Sequence, residues 1–310
     1  MARKGGQLIH GWVNLDKPTG ISSAKVVDLV RRVFDAAKAG HGGTLDPLAT
    51  GVLPIALGEA TKTVSFAMGQ QKSYEFEIAW GAETSTDDIE GALTRQSNNR
   101  PDPAAIESAL THYHGDIDQV PPLYSAVKID GKRAYSLARK AKNVSQSLTL
   151  APRRIHIKTF RCLSSNASHA RFFVTCGKGV YIRSLARDLG RDLDTAAHVT
   201  ALRRLSVGKF HAINAISLDF LETLPHSAAA QEYLQPVMSA LDDIPAIPIT
   251  VDEARKLRHG QSLPAISARS GGRFQELLTG KTAVAIDGSR PVALVVFKAG
   301  AVCPVRVLNI

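Results

Sequence analysis

The chain has 310 residues, more than one domain usually holds, so a large domain with a smaller companion is expected. Its 38 lysines and arginines outnumber 28 acids, and the net charge of +10 favours a polyanionic partner, nucleic acid before a membrane surface. No apolar run has the length of a membrane span and the basic N-terminus lacks the apolar segment of a signal peptide, which favours a cytoplasmic protein without a membrane partner.

The N-terminal segment predicts a strand followed by a helix. Residues 11–20, GWVNLDKPTG, are typical of a short strand that ends in a Pro/Gly turn. Ser22 or Ser23 can then cap a helix. Its apolar residues recur at helical spacing and form one stripe: Val26, Val27, Leu29, Val30, Val33 and Phe34.

The next segment, residues 40–62, presents an aspartate on a loop ahead of an apolar run. Its glycines allow tight turns and close approach to a ligand, and Pro47 biases Asp46 toward an extended backbone. Such a loop suits a catalytic acid, and the alternative is a surface turn with a solvated aspartate. A phosphate-binding loop is a further alternative, but the Gly-Lys-Ser/Thr ending of that motif is missing.

The middle of the chain predicts strands and helices without a repeating βαβ rhythm. Residues 73–80, SYEFEIAW, alternate apolar and polar and indicate a half-buried strand. Asp102 and Pro103 are typical of a helix cap and first turn. Two more strands are expected at 153–160 and 170–176. The pattern predicts an α+β fold with a mixed, mainly antiparallel sheet.

A helix is predicted over 181–190, YIRSLARDLG, after a Gly-Lys-Gly turn. Gly190 is expected to end it. Arg183 and Arg187 share one face of this helix. On helical spacing alone, we expect both to be ordinary exposed arginines.

A domain boundary is expected in residues 234–248, where the basic bias is lost and three prolines occur. A short helix at 251–261 and several short strands with glycine turns follow. The predicted domains are therefore 1–248 and a small β-rich module at 249–310.

The basic charge is concentrated between Pro121 and Arg161. This segment contains ten basic residues and a single acid, Asp130. The basic residues are Lys128, Lys132, Arg133, Arg139, Lys140, Lys142, Arg153, Arg154, Lys158 and Arg161. Tyr124 and Tyr135 lie among them, so rings that stack on bases stand beside cations that bind phosphates. A nucleic-acid contact is favoured over a solvated face, which usually mixes both signs.

Neither cysteine nor histidine spacing predicts a metal or a disulfide. Cys162, Cys176 and Cys303 are scattered, and the nearest histidines, His112 and His114, point to different faces of a helix end. We expect no metal and no cofactor.

Five motifs occur in order along nearly the whole chain. They are KPTGISS at 17–23, the Asp46 loop, PPLYSAVKIDGKRAY from Pro121, CGKGVYIRSLARDLG from Cys176 and ALRRLSVGKF at 201–210. On these motifs the chain resembles the TruB family, the bacterial tRNA pseudouridine-55 synthases. The resemblance implies that uridine 55 in the T-loop of tRNA is isomerised to pseudouridine without metal or cofactor. No feature of the sequence indicates an oligomer, and we expect a monomer.

The resemblance also implies an architecture. It predicts a pseudouridine-synthase catalytic domain at 1–248, a thumb-like insertion at 121–150 that clamps the T-arm stem-loop, and a PUA-like RNA-binding domain at 249–310. A tRNA-folding (chaperone) role would accompany or, as the alternative function, replace catalysis.

Carried over to matching positions, the resemblance makes Asp46 the catalytic aspartate, acting as a nucleophile at C1′ or the base, or as a base toward C2′. Arg183 would pair with Asp46 and keep it ionised and oriented. Tyr74 would stack on the flipped uracil, and Tyr181 and Leu202 would line the pocket. On pattern alone these last three are core residues.

The same resemblance assigns RNA contacts. His41 would brace the space that the base vacates, and Lys62 would bind a phosphate near the site. The remaining predicted contacts are in the basic insertion: Lys128, Lys132, Arg133 and Arg139.

Overall fold

The computed structural model describes residues 6–125, 128–129, 132–133, 150–224, 227–264 and 280–310. The strands are β1 Gly11–Lys17, β2 Ala39–His41, β3 Thr50–Leu57, β4 Lys72–Trp80, β5 Ala82–Thr84, β6 Leu93–Gln96, β7 Gly115–Gln119, β8 Lys128–Ile129, β9 Lys132–Arg133, β10 Arg153–Ser165, β11 His169–Cys176, β12 Ala197–Val207, β13 Phe210–His211, β14 Ile216–Ser217, β15 Leu234–Gln235, β16 Ala246–Pro248, β17 Leu263–Pro264, β18 Thr282–Asp287, β19 Arg290–Lys298 and β20 Ala301–Val307. The α-helices are α1 Ser23–Val33, α2 Val64–Gly69, α3 Pro103–Leu110, α4 Ile182–Asp192, α5 Leu218–Thr223, α6 Ser227–Gln231 and α7 Val251–Arg258.

A large sheet organises the first domain. Its strands run in the order β14-β1-β3-β12-β4-β11-β10-β7, with β2, β13 and β15 paired at its side. Most neighbours are antiparallel, while β3 pairs with β12, and β1 with β14, in parallel. The mixed, mainly antiparallel sheet of the predicted α+β fold is therefore confirmed.

Helix α1 forms as its sequence predicts. The Ser22 side chain accepts a hydrogen bond from the Lys25 amide and so caps the first turn. Val26, Val30 and Phe34 are fully buried against the sheet in the main hydrophobic core. The alternation of β4 is also confirmed, because Phe76 and Ile78 are buried in the same core.

Helix α4 does not end where the sequence predicts. It continues through Gly190 to Asp192, so the expected C-cap is wrong. A β-carbon at Gly190 would lie 2.9 Å from both the amide nitrogen and the β-carbon of Ala197. Gly190 is therefore needed for close packing of α4 against the start of β12.

The second domain is a five-stranded sheet in the order β16-β18-β19-β20-β17, packed around α7. Its first strand begins at Ala246, so the predicted boundary after residue 248 falls at the end of that strand. The chain then returns to the first domain, where Leu308 is buried in a cluster with Trp12, Val52 and Phe210. No helix in the described ranges is long and apolar enough to cross a membrane.

Leu308 is expected to hold the two domains together. Leu308→Ala should lower the free energy of unfolding by about 3 kcal/mol, because it empties a buried site in that cluster. Urea denaturation followed by tryptophan fluorescence measures the change. Ile310→Ala is the matched control, since Ile310 is 48% exposed and should cost little. An equal loss of unfolding free energy in the two variants would contradict the role of Leu308 in holding the domains together.

Candidate active site

A cavity of about 420 Å³ opens between the large sheet and the N-terminus of α4. Its described lining combines the predicted Asp46 loop with residues from β4, β12 and the segment before α4. The polar and aromatic lining residues are Thr44, Asp46, Lys72, Tyr74, Tyr124, Ser125, Tyr181, Arg183 and Arg204. The volume suits a small organic group such as a nucleobase.

Asp46 and Arg183 form the ion pair expected from the resemblance. Arg183 Nε lies 2.9 Å from Asp46 Oδ2, and the Arg183 side chain is 5% exposed while that of Asp46 is 36% exposed. Arg183 Nη1 also donates to Thr86 O at 2.7 Å, and Nη2 donates to Tyr124 O at 3.0 Å. The alternative of an exposed helix arginine is therefore wrong, and the carboxylate remains accessible from the cavity.

Helix α4 carries three arginines, one per turn, toward the acids of the segment that follows β4. The pairs are Arg191–Glu83 at 2.7 Å, Arg187–Asp87 at 3.0 Å and Arg183–Asp88 at 3.6 Å. Asp87 has a left-handed backbone, with φ 60°. Burial raises the pKa of Asp87 to about 6, and the neighbouring Arg187 opposes this rise.

Buried side chains from other elements hold the backbone in the first half of the Asp46 loop. Arg204 donates to Gly43 O at 2.9 Å and to Thr44 O at 3.3 Å, and it also donates to Val52 O at 2.7 Å. Ser23 Oγ both accepts from the Leu45 amide and donates to the Leu45 carbonyl, at 2.8 Å each. The turn before Asp46 is therefore fixed from two sides.

The second half of the loop is held by Lys17. This fully buried lysine donates from Nζ to Pro18 O at 2.8 Å, Ile21 O at 2.8 Å and Pro47 O at 3.2 Å. Burial lowers the pKa of Lys17 to about 8, and the charge of Asp46 acts in the opposite direction. Asp46 therefore sits in a loop whose position depends little on the substrate.

The three predicted lining residues all reach the cavity. Tyr74 is 7% exposed on β4. Burial raises the pKa of its phenol, so the hydroxyl is neutral at physiological pH. Tyr181 stands just before α4, where its amide and carbonyl are bonded to the Gln119 side chain. Leu202 is buried on β12 at the cavity wall.

Two of the predicted RNA contacts, His41 and Lys62, lie outside the lining of the cavity. His41 ends β2, outside the cavity lining, and its Nδ1 accepts from the Gly43 amide at 3.4 Å. Burial, and then the charge of Arg204, lowers the pKa of His41. Lys62 donates to Glu59 Oε2 at 2.6 Å and to Val307 O at 2.8 Å. Lys62 therefore joins the two domains, and its phosphate contact stays a prediction.

The basic insertion is described only in part. The backbone of Lys128 pairs with that of Arg133, and Ile129 pairs with Lys132, as two short antiparallel strands. Arg139 lies outside the described residues. In the described part of the chain, no group of three or more His, Cys, Asp or Glu is arranged to hold a metal ion.

Sequence reasoning missed the buried cations. Lys17 and Arg204 lie inside the KPTGISS and ALRRLSVGKF motifs, yet neither was assigned a role, and Lys72 opens the alternating strand β4. Their polar neighbours in the sequence, Asp16, Gln71 and Arg203, gave no local signal of burial. The contacts of Lys17 and Arg204 with the Asp46 loop join residues far apart in the sequence, more than 150 positions in the case of Arg204, so no local pattern predicts them.

Comparison with known families and proteins gives consistent matches. Residues 31–182 match the family described as TruB family pseudouridylate synthase (N terminal domain), and residues 183–244 match the tRNA pseudouridylate synthase B C-terminal domain. The tRNA pseudouridine synthase B of Rhodospirillum rubrum is 48% identical over 309 residues, covering 99% of this chain and 99% of that protein. The protein of the same name from Caulobacter vibrioides is 45% identical over 310 residues, with 99% of each chain covered.

Solved structures share the fold. A chain in the crystal structure of a Cbf5-Nop10-Gar1 complex matches with a TM-score of 0.71 and 25% identity, covering 96% of this chain and 84% of that one. A chain in the structure of an H/ACA RNP bound to a substrate RNA containing 2′-deoxyuridine matches with a TM-score of 0.69 and 23% identity, covering 97% and 85%.

Proposed function

The chain belongs to the TruB family of tRNA pseudouridine synthases, and from this premise we propose that it converts uridine 55 in the T-loop of tRNA to pseudouridine, with Asp46 as the catalytic group. The family makes it an isomerase that turns uridine into pseudouridine in tRNA. The position of the uridine and the roles of individual residues are the proposal.

One observation carries the assignment of Asp46. It is the carboxylate held by a buried arginine at the cavity, with Arg183 Nε 2.9 Å from Asp46 Oδ2. The reaction breaks the bond from C1′ to N1 of uracil, turns the base and joins C1′ to C5; C5 loses a proton and N1 gains one. A carboxylate oriented in this way can attack C1′ or C6, or can remove a proton from C2′.

The cavity can accept the uracil once it leaves the RNA stack. A base inside a loop or a duplex must be flipped out before its C1′–N1 bond can be reached. Tyr74 offers the ring that stacks on the flipped base, while Tyr181 and Leu202 line the walls of the cavity. The neutral phenol of Tyr74 suits stacking better than proton removal at neutral pH.

The remaining RNA contacts are proposed from charge and resemblance. The insertion at 121–150 clamps the T-arm, His41 braces the space left by the base, and residues 249–310 form a PUA-like RNA-binding domain. The protein acts as a cytoplasmic monomer. Clamping and opening the tRNA elbow would also give it a tRNA-folding role beside catalysis.

Chemical mapping of pseudouridine tests the proposed function. A tRNA transcript is incubated with the pure protein, and pseudouridine is located by carbodiimide modification and primer extension. We expect one new stop, at position 55, and none when that uridine is replaced by cytidine. Modification at another position would overturn the proposed site, and binding without any modification would favour the chaperone alternative.

The basic insertion is expected to carry part of the electrostatic binding. Neutralising Lys132, Arg133 and Arg139 together should weaken tRNA binding and reduce the slope of log affinity against log salt by roughly 2, because fewer counterions are released. Filter binding at several salt concentrations measures this slope. The control neutralises three basic residues on the exposed side of α1, Lys25, Arg31 and Arg32. A slope unchanged in the first variant would remove the insertion from the interface.

A further inference from the structure

Two buried cations meet at one side of the cavity, next to Gly43. Lys72 begins β4, Arg204 lies on β12, and both line the cavity. A β-carbon at Gly43 would lie 3.5 Å from Arg204 Nη1 and 3.8 Å from Lys72 Cε, so both side chains converge on this residue. Lys72 is 8% exposed and Arg204 1% exposed.

The hydrogen bonds donated by Lys72 and Arg204 are accepted by neutral groups and not by carboxylates. Lys72 Nζ donates to Met68 O at 2.8 Å and to Gln70 O at 2.7 Å, and the Arg204 guanidinium donates to carbonyls of the Asp46 loop and of β3. Among the described residues, neither cation has a carboxylate within 4 Å. Backbone carbonyls solvate a charge without cancelling it, so both positive charges remain effective in the cavity.

Keeping two like charges buried together is costly. Burial, and then the charge of Arg204, lowers the pKa of Lys72 to about 8. Apolar residues would build the same wall at lower cost. An arrangement of this kind is expected where negative charge has to be stabilised during a reaction.

We propose that Lys72 and Arg204 stabilise the negative charge that develops on the uracil ring during isomerisation. The inference rests on the proposed function. When the C1′–N1 bond breaks, its electron pair stays on N1 and spreads to O2 and O4, and if Asp46 adds to C6 the ring becomes anionic at that step. Each route open to Asp46 therefore places negative charge on the base. The negative charge is lost when C5 bonds to C1′, and N1 then gains a proton as C5 loses its own, so the product is neutral.

The turning of the base explains why fixed charges suit this task. Rotation of uracil about its N3–C6 axis brings C5 to the place of N1 and exchanges O2 with O4. A single directed hydrogen bond would break during this turn. The field of two cations whose donors are already bound to carbonyls acts on the ring in every orientation.

A purely structural role is the competing explanation. Lys72 bonds carbonyls at the C-terminal end of α2, and Arg204 braces the Asp46 loop. Lys72 separates the two explanations better, because it makes no hydrogen bond to that loop. Glutamine at position 72 keeps a donor for the carbonyls without the charge, while arginine keeps the charge at all pH values of interest.

The test is the pH dependence of kcat/KM on a T-arm RNA. For the native protein we expect a fall of about tenfold per pH unit above about pH 8, as Lys72 loses its proton. Lys72→Arg should remove this fall. Lys72→Gln should lower kcat roughly 100-fold at pH 7 while KM stays within about threefold. Lys209→Gln is the control, since it also removes a lysine ammonium, here one that is 71% exposed and pairs with Asp242 at 2.7 Å, and should leave the profile unchanged.

One other lysine, Lys17, titrates near the same pH as Lys72, whereas the thiol and the phenol that face Lys72 do not. The groups that face Lys72 are the Arg204 guanidinium on β12, Cys176 on β11 and Tyr74 on β4; burial raises the pKa of Cys176 to about 12 and also raises that of Tyr74. A fall that persists in Lys72→Arg would belong to Lys17 and would overturn the proposal.

Two further results would also overturn it. One is a native profile that stays flat above pH 8, which requires no variant to fold. The other is a kcat of Lys72→Gln within about threefold of native. A 5-fluorouridine substrate gives an independent measurement, because fluorine stabilises the uracil anion. The loss caused by Lys72→Gln should then shrink in single-turnover consumption of that nucleotide, and an undiminished loss would indicate a structural role.

Discussion

Replacing Asp46 by asparagine is expected to abolish pseudouridine formation while leaving tRNA binding within a few-fold. The amide has the shape of the carboxylate and keeps one oxygen to accept from Arg183, so the loop held by Arg204, Ser23 and Lys17 stays in place. It cannot act as the nucleophile or base. Loss of such a group lowers kcat by roughly 10⁴-fold or more.

Single-turnover conversion of a radiolabelled T-loop transcript, together with filter binding, measures both effects for this substitution. Asp16→Asn is the matched control, because it makes the same chemical change in a carboxylate that pairs with Arg203 at 2.7 Å outside the cavity lining. The control should retain most of its activity. Substantial turnover by Asp46→Asn would show that the assigned mechanism is wrong.

Removing the guanidinium of Arg183 is expected to have the second largest effect. Arg183→Gln leaves Asp46 without its partner and takes the donors away from Thr86 O and Tyr124 O. It also leaves Asp88 without that cation, which costs about 3 kcal/mol or more in a buried pair. We expect kcat to fall roughly 10³-fold. Arg183→Lys should recover only part of this, because one ammonium cannot bond all of these groups.

Rates are compared with the unfolding free energy of each variant, so that a loss of folded protein is separated from a loss of chemistry. Arg191→Gln is the control on the same helix. It breaks the pair with Glu83, two turns from the cavity, where the Arg191 side chain is 54% exposed. If Arg183→Gln lost no more activity than this control, Arg183 would serve the fold alone.

Local signals in the sequence predicted most of the framework. The Ser22 cap, the alternation of β4 and the mainly antiparallel sheet depend on neighbouring residues or on simple periodicity, and each was confirmed. The pair between Asp46 and Arg183 was expected only through the family motifs, since 137 positions separate the two residues and no periodicity connects them.

Features that depend on tertiary packing were not predicted. Gly190 looked like a helix end but serves the contact between α4 and Ala197. The bond from Lys62 to a carbonyl of β20 had no signal in the sequence. The support of the Asp46 loop by Arg204 arises only because β3 and β12 are neighbours in the sheet. Such contacts follow from strand order, which local sequence does not encode.

The hydrogen-bonded backbone of the Asp46 loop limits which RNAs can react. Gly43, Thr44, Leu45 and Pro47 all have carbonyls tied to buried side chains, so the protein offers little movement to meet its substrate. The deformation must then occur in the RNA. A uridine in a strained loop leaves its stack at lower energy than one in a regular helix, so the stiffness of the enzyme becomes a filter against uridines in paired stems.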